Sequence, residues 1–67
     1  MNKMEHLLTC IFEECAEIQQ AVSKALRFGL TDCRPGTELT NLQAICDELT
    51  DLEGVIELAQ SEGILPA

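Results

Sequence analysis

Apolar positions along the chain fall into two runs of helical period. In the first, Met4, Leu8, Ile11, Cys15, Ile18, Val22 and Ala25 alternate steps of four and three. That is a heptad seam, the pattern of helices packed nearly parallel or antiparallel. Lys24 and Arg27 precede Gly29, and basic residues followed by glycine signal a helix C-terminus. The spacing predicts a helix over about 3–28, roughly 39 Å long at 1.5 Å per residue. A connection over about 29–39 contains Pro35-Gly36, a turn signal. Thr40 with Gln43 fits a capping box, and Thr37 is an alternative cap one turn earlier. The second run, Leu42, Ile45, Leu49, Leu52, Ile56 and Ala59, predicts a helix over about 40–62, stopped by Gly63 with Pro66 beyond. No period-two run of β-branched residues argues for a strand.

The expected fold is therefore all-α, one helical hairpin of two long helices filling a single domain, 1–67. A chain this short buries a modest share of its surface and is marginal as a lone monomer. A hairpin also covers only one side of each apolar stripe. Two hairpins closing into a four-helix bundle is the simplest solution, so a homodimer or homotetramer is expected. The competing arrangement is a hairpin docked on the helices of another protein.

Charge narrows the partners. Twelve acids against four bases give a net charge of -8, which argues against nucleic acid or an anionic membrane surface and suits metal cations or plain solubility. No apolar run approaches the ~18 residues of a membrane span. The N-terminal "MNKMEHLLTC" turns acidic too soon for a secretory signal, so a cytoplasmic protein is expected. Cys10, Cys15, Cys33 and Cys46 form no C-x-x-C pair. Without a sign of secretion they read as reduced thiols, Cys15 and Cys46 as small buried hydrophobes on or beside the stripes.

Candidate chemistry lies in an acidic motif that occurs twice. "EECAEI" (13–18) and "DELTDL" (47–52) both read acid, Glu, x, x, acid, apolar, at an offset of 34 residues. Glu14 precedes the seam residue Cys15 and Glu48 precedes Leu49, with Glu17 and Asp51 three positions on. Residues three apart share a helix face, so each helix should carry a carboxylate pair on one flank of its seam. The residues at +4 from these acids are Ile18, Ala21, Leu52 and Val55, so neither copy is a salt-bridge ladder. In an antiparallel hairpin the two pairs meet near mid-length, where like charges repel unless divalent cations neutralise them. Hard oxygen donors suit Mg²⁺, with Mn²⁺ possible. His6, about two turns from Glu14, reads as a surface residue. Against the metal reading stands an ordinary solvated acidic face.

At these residues the chain resembles the MazG-like all-α nucleoside triphosphate pyrophosphohydrolases, whose signature is E-E-x-x-E followed by E-x-x-D. It stands here as Glu13, Glu14, Glu17, then Glu48 and Asp51, within "SKALRFGL" and "TNLQAICDELTDLEGVIEL". The resemblance spans roughly 13–63 and is greatest to compact forms common among bacteriophage genes. It implies a Mg²⁺-dependent enzyme converting nucleoside triphosphates to monophosphate and pyrophosphate. It also implies metal ligands Glu14, Glu17, Glu48 and Asp51, catalytic roles for Glu13 and Glu14, and an active unit assembled from at least two subunits. Members are often longer, with further helices closing the nucleotide pocket. The base-binding walls here would then come from a neighbouring subunit.

Substrate contacts are expected from four residues. Lys24 lies seven after Glu17 on nearly the same face, and Lys24 and Arg27 are phosphate-binding candidates whose alternative role is favourable charge at a helix C-terminus. Arg34 would reach substrate from the loop. Asn41, seven before Glu48, would contact sugar or base, or else cap the second helix. Phe28 is a candidate base-stacking residue whose alternative is core packing. Two other functions compete with hydrolysis: a nucleotide-binding, sponge-like protein without turnover, and a purely structural oligomerisation module.

Overall fold

The computed structural model describes residues 1–67. It contains two helices, α1 (Lys3–Phe28) and α2 (Asn41–Ser61), packed against each other. Local chemistry accounts for each end. Asn2 caps α1 through a reciprocal box: Asn2 Oδ1 accepts from the Glu5 N–H at 2.8 Å, and Glu5 Oε1 accepts from the Asn2 N–H at 3.3 Å. α1 stops at Gly29, whose φ of 96° favours glycine and whose N–H donates to the Ala25 carbonyl at 2.8 Å. Thr40 caps α2, its Oγ1 accepting from the Gln43 N–H at 3.1 Å. The box expected there is half formed, because the Gln43 carboxamide donates instead to Asp47 Oδ1 at 3.2 Å. Thr37 serves the turn: its hydroxyl donates to the Arg34 carbonyl and accepts from the Leu39 N–H.

The connection is tied down on both sides. Cys33 and Thr40 form an isolated antiparallel bridge, with Arg34 N–H donating to Leu39 O at 3.1 Å. Asn41 N–H donates to Asp32 O and Leu42 N–H to Leu30 O, each at 2.9 Å. The Asn41 side chain, 5 % exposed, donates from Nδ2 to the Gly29 carbonyl at 2.8 Å. These bonds return the chain antiparallel, so that at the far end Lys3 Nζ reaches Glu62 Oε2 at 3.2 Å.

The inward faces are rotated by about one residue from the expected seams. On α1 the buried or half-buried positions that follow this face are Leu7, Ile11, Glu14, Ile18, Ala21 and Ala25, with Thr9, Cys10 and Lys24 half-buried beside it. Those on α2 are Asn41, Ile45, Glu48, Leu52, Val55 and Ala59, joined by Ala44 and Ile56. Ile11, Ile18, Ala25, Ile45, Leu52, Ile56 and Ala59 therefore face inward as expected. Met4, Leu8, Cys15 and Val22 of α1, and Leu42 and Leu49 of α2, lie exposed on the outer stripes. Cys15 and Cys46 are likewise exposed, not buried, and all four thiols are free. Four of the six buried residues are alanines, at 21, 25, 44 and 59, and small side chains at a contact favour close helix packing. Glu14 and Glu48 consequently occupy the interface itself, not its flank.

The result is extended, with a radius of gyration of 14.2 Å against about 11 Å for a compact chain of this length. The accessible surface of 4844 Å² likewise exceeds the ~4,200 Å² of a compact monomer of this mass. Phe12 (76 % exposed) and Leu26 (83 %) are the large apolar residues of α1 most open to solvent. No helix is long and apolar enough to cross a membrane.

Candidate metal centre

Near the middle of the hairpin the acidic motifs meet. Glu14 and Glu17 stand one turn apart on α1, and Glu48 faces them from α2. One carboxylate oxygen from each lies within 4.8 Å of the others. Glu14 and Glu48 are half-buried and Glu17 is exposed. Two buried alanines flank the group, Ala21 one turn beyond Glu17 and Ala44 one turn before Glu48.

The electrostatics carry the cost of this placement. Burial raises the Glu14 carboxyl above its ordinary range, and the charges of Glu17, Asp51 and Glu13 push it further. Glu48 is raised first by the Glu17 carboxyl placed at hydrogen-bonding reach, then by burial and by the charges of Glu17, Glu14 and Asp51. Glu14 Oε2 and Glu48 Oε2 are inaccessible to solvent and accept no hydrogen bond. Buried carboxylate oxygens without donors are expensive. A hard divalent cation satisfies such oxygens, and the donor set suits one with oxygen ligands. All-oxygen donors of this kind are the type that Mg²⁺ or Mn²⁺ takes.

The remaining candidates divide by place. Asp51 is exposed and outside the group of three, although its charge acts on both Glu14 and Glu48. Glu13 is exposed beside Glu14. Lys24 and Arg34 join Glu17, Gln20, Ala21 and Glu48 around a cavity of about 240 Å³. Neither cation is paired with a carboxylate there, since the one salt bridge of the molecule is Lys3–Glu62. Arg27 belongs to a different face: its guanidinium lies 4.9 Å from the Phe28 ring centroid and lines an outer groove with Val22 and Leu26. Asn41 spends its amide on Gly29 and also lines a second cavity with Lys24, Phe28 and Arg34. His6 is exposed, its Nε2 3.7 Å from Cys10 Sγ.

Gln20 and Asp32 went unremarked as site residues in the sequence. Gln20 follows Glu17 at +3, a spacing that places it on the same face. Asp32, in the connection, has no periodic signal. No family model, curated protein or solved structure matches this chain.

Proposed function

We propose that the protein is a Mg²⁺-dependent nucleoside triphosphate pyrophosphohydrolase of the MazG-like type, acting as a homo-oligomer. The observation that carries this reading is the convergence of Glu14, Glu17 and Glu48 with two buried oxygens lacking donors, beside a cavity that also holds Lys24 and Arg34. Acids and unpaired cations walling one cavity suit a ligand that bridges them, and a cation-bound polyphosphate is such a ligand. The sequence resemblance at the same carboxylates points to the same chemistry.

In this reading Glu14, Glu17 and Glu48 hold the cation, with Asp51 contributing its charge. The bound cation supplies neutralisation of the triphosphate and a lowered pKa for the attacking water. Lys24 and Arg34, which line the same cavity, orient the phosphate chain. Glu13, exposed beside the cluster, accepts the proton released on attack. The exposed outer stripes and the groove of Ile18, Val22 and Leu26 receive a second hairpin, which closes a four-helix bundle.

The test is a nucleoside triphosphate panel incubated with Mg²⁺, with products separated by ion exchange. Monophosphate and pyrophosphate are expected from the wild type and none from Glu48→Gln. Tight binding with the triphosphate recovered intact would replace hydrolysis by storage. A melting midpoint that does not respond to Mg²⁺ or Mn²⁺ would remove the metal site altogether.

A further inference from the structure

A second cavity, of about 250 Å³, opens at the turn end of the hairpin between Lys24, Phe28, Asp32, Cys33, Arg34 and Asn41. It shares Lys24 and Arg34 with the acid-walled cavity of about 240 Å³. Each alone falls below the ~300 Å³ at the lower end of ordinary small-molecule pockets, so a ligand of nucleotide size would have to span both across the shared cations. Taken together, the two linings are graded in chemistry. Carboxylates stand at one end, two cations at the middle, and an aromatic ring with a proline and one further carboxylate at the other end.

We infer that the turn-end cavity is the nucleobase subsite of the proposed hydrolase, and that Asp32 selects guanine there. The inference rests on the triphosphate reading above and adds the direction in which the substrate lies. A nucleotide has the same gradient as the site: a cation-binding polyphosphate, then remaining anionic charge, then a flat ring with polar edges. Phosphates at the acid cluster and on Lys24 and Arg34 leave the base at Phe28. Arg27 sits over that ring at 4.9 Å, and the ring also lines the cavity. Stacking on an aromatic ring holds any base. Discrimination needs a polar group, and Asp32 is the one carboxylate in this wall. Guanine offers two adjacent N–H donors on its Watson–Crick edge, matched to the two oxygens of one carboxylate. Adenine and cytosine each pair an amino group with a ring acceptor that a carboxylate repels.

The wall is held in place before any ligand arrives. The Asp32 carbonyl accepts from Asn41 N–H at 2.9 Å, Asn41 Nδ2 holds Gly29 O at 2.8 Å, and Cys33 pairs with Thr40. Asn41 is thus a positioning residue for this cavity. The Asp32 carboxylate makes no hydrogen bond or ion pair within the protein, so replacing it leaves these ties intact.

Binding of Mg²⁺ complexes of GTP, ATP, CTP and UTP, and of inorganic tripolyphosphate as a probe without a base, is measured calorimetrically on the full chain. The variants are Asp32→Asn and Phe28→Leu, each checked for helicity. The expected result is a GTP preference of about tenfold over ATP, as charge-assisted hydrogen bonds give. Asp32→Asn abolishes that preference, Phe28→Leu weakens all four nucleotides, and tripolyphosphate binds every variant equally. If tripolyphosphate binds as tightly as the nucleotides, or if Asp32→Asn leaves base preference unchanged, the base subsite is wrong and the triphosphate reading stands. If neither tripolyphosphate nor any nucleotide binds the wild type, both fall together.

Discussion

Replacing Asn41 by alanine separates a structural tie from a substrate contact. Asn41 is 5 % exposed, and its Nδ2 donates to the Gly29 carbonyl at 2.8 Å across the mouth of the hairpin. The Gly29 carbonyl has one other donor, the Asp32 N–H at 3.4 Å, which is too long to replace it. Gly29 is itself exposed, so water can replace the lost donor in part, and the loss is that of one net hydrogen bond, about 0.5–1.5 kcal/mol. For a domain of this size each kcal/mol shifts the melting midpoint by ~4–8 °C, so a fall of roughly 2–12 °C is expected. The assay is far-UV circular dichroism through a thermal ramp, at one fixed protein concentration, since any self-association would make the midpoint concentration-dependent. Asn41→Asp, of the same shape, should be at least as destabilised, since it turns a donor into a carboxylate facing a carbonyl. An alanine variant that melts within a degree of the wild type, and loses only nucleotide affinity, would refute the tie and return Asn41 to a purely substrate-facing role.

Three further outcomes follow from the same geometry. With the folded carboxyls of Glu14 and Glu48 raised above 4.5, the native state holds protons the unfolded chain releases. Their stabilising contribution is then complete below about 4.5 and is lost as pH rises through the raised values. In chelator the melting midpoint should therefore rise on acidification towards that range, and the Glu14→Gln, Glu48→Gln double variant should show a flatter profile. Gly54→Ala should stabilise by about 1 kcal/mol through helix propensity alone, because a Cβ there meets no atom within 4 Å; a lowered denaturant midpoint would show that another chain covers that face. Leu26→Glu, at a residue 83 % exposed on the outer groove, should reduce the sedimenting mass to that of one hairpin, and an unchanged mass would remove this groove from the assembly.

The sequence alone settles what depends on neighbours in the chain. Both helices, the turn at Pro35-Gly36 and the stops at Gly29 and Gly63 are local decisions of period, cap and positive φ, and the ranges 3–28 and 41–61 agree with them to within a residue. The meeting of Glu14 and Glu17 with Glu48 was also legible, because a motif repeated at equal helical spacing lies on facing flanks once the hairpin closes, although Asp51, its fourth acid, stays outside the group. Which apolar stripe faces the partner helix was not. Met4, Leu8, Cys15 and Val22 make as regular a seam as Leu7, Ile11, Ile18 and Ala21, and period alone does not rank two adjacent stripes. Tertiary packing chose the stripe with small residues, since close axes are reached over Ala21, Ala25, Ala44 and Ala59. That choice, a rotation of about one residue, carried Glu14 and Glu48 from the flank into the interface. The closing of the turn also brought Asp32 to the same end as Lys24, Phe28 and Arg34, a placement that no periodic signal marks.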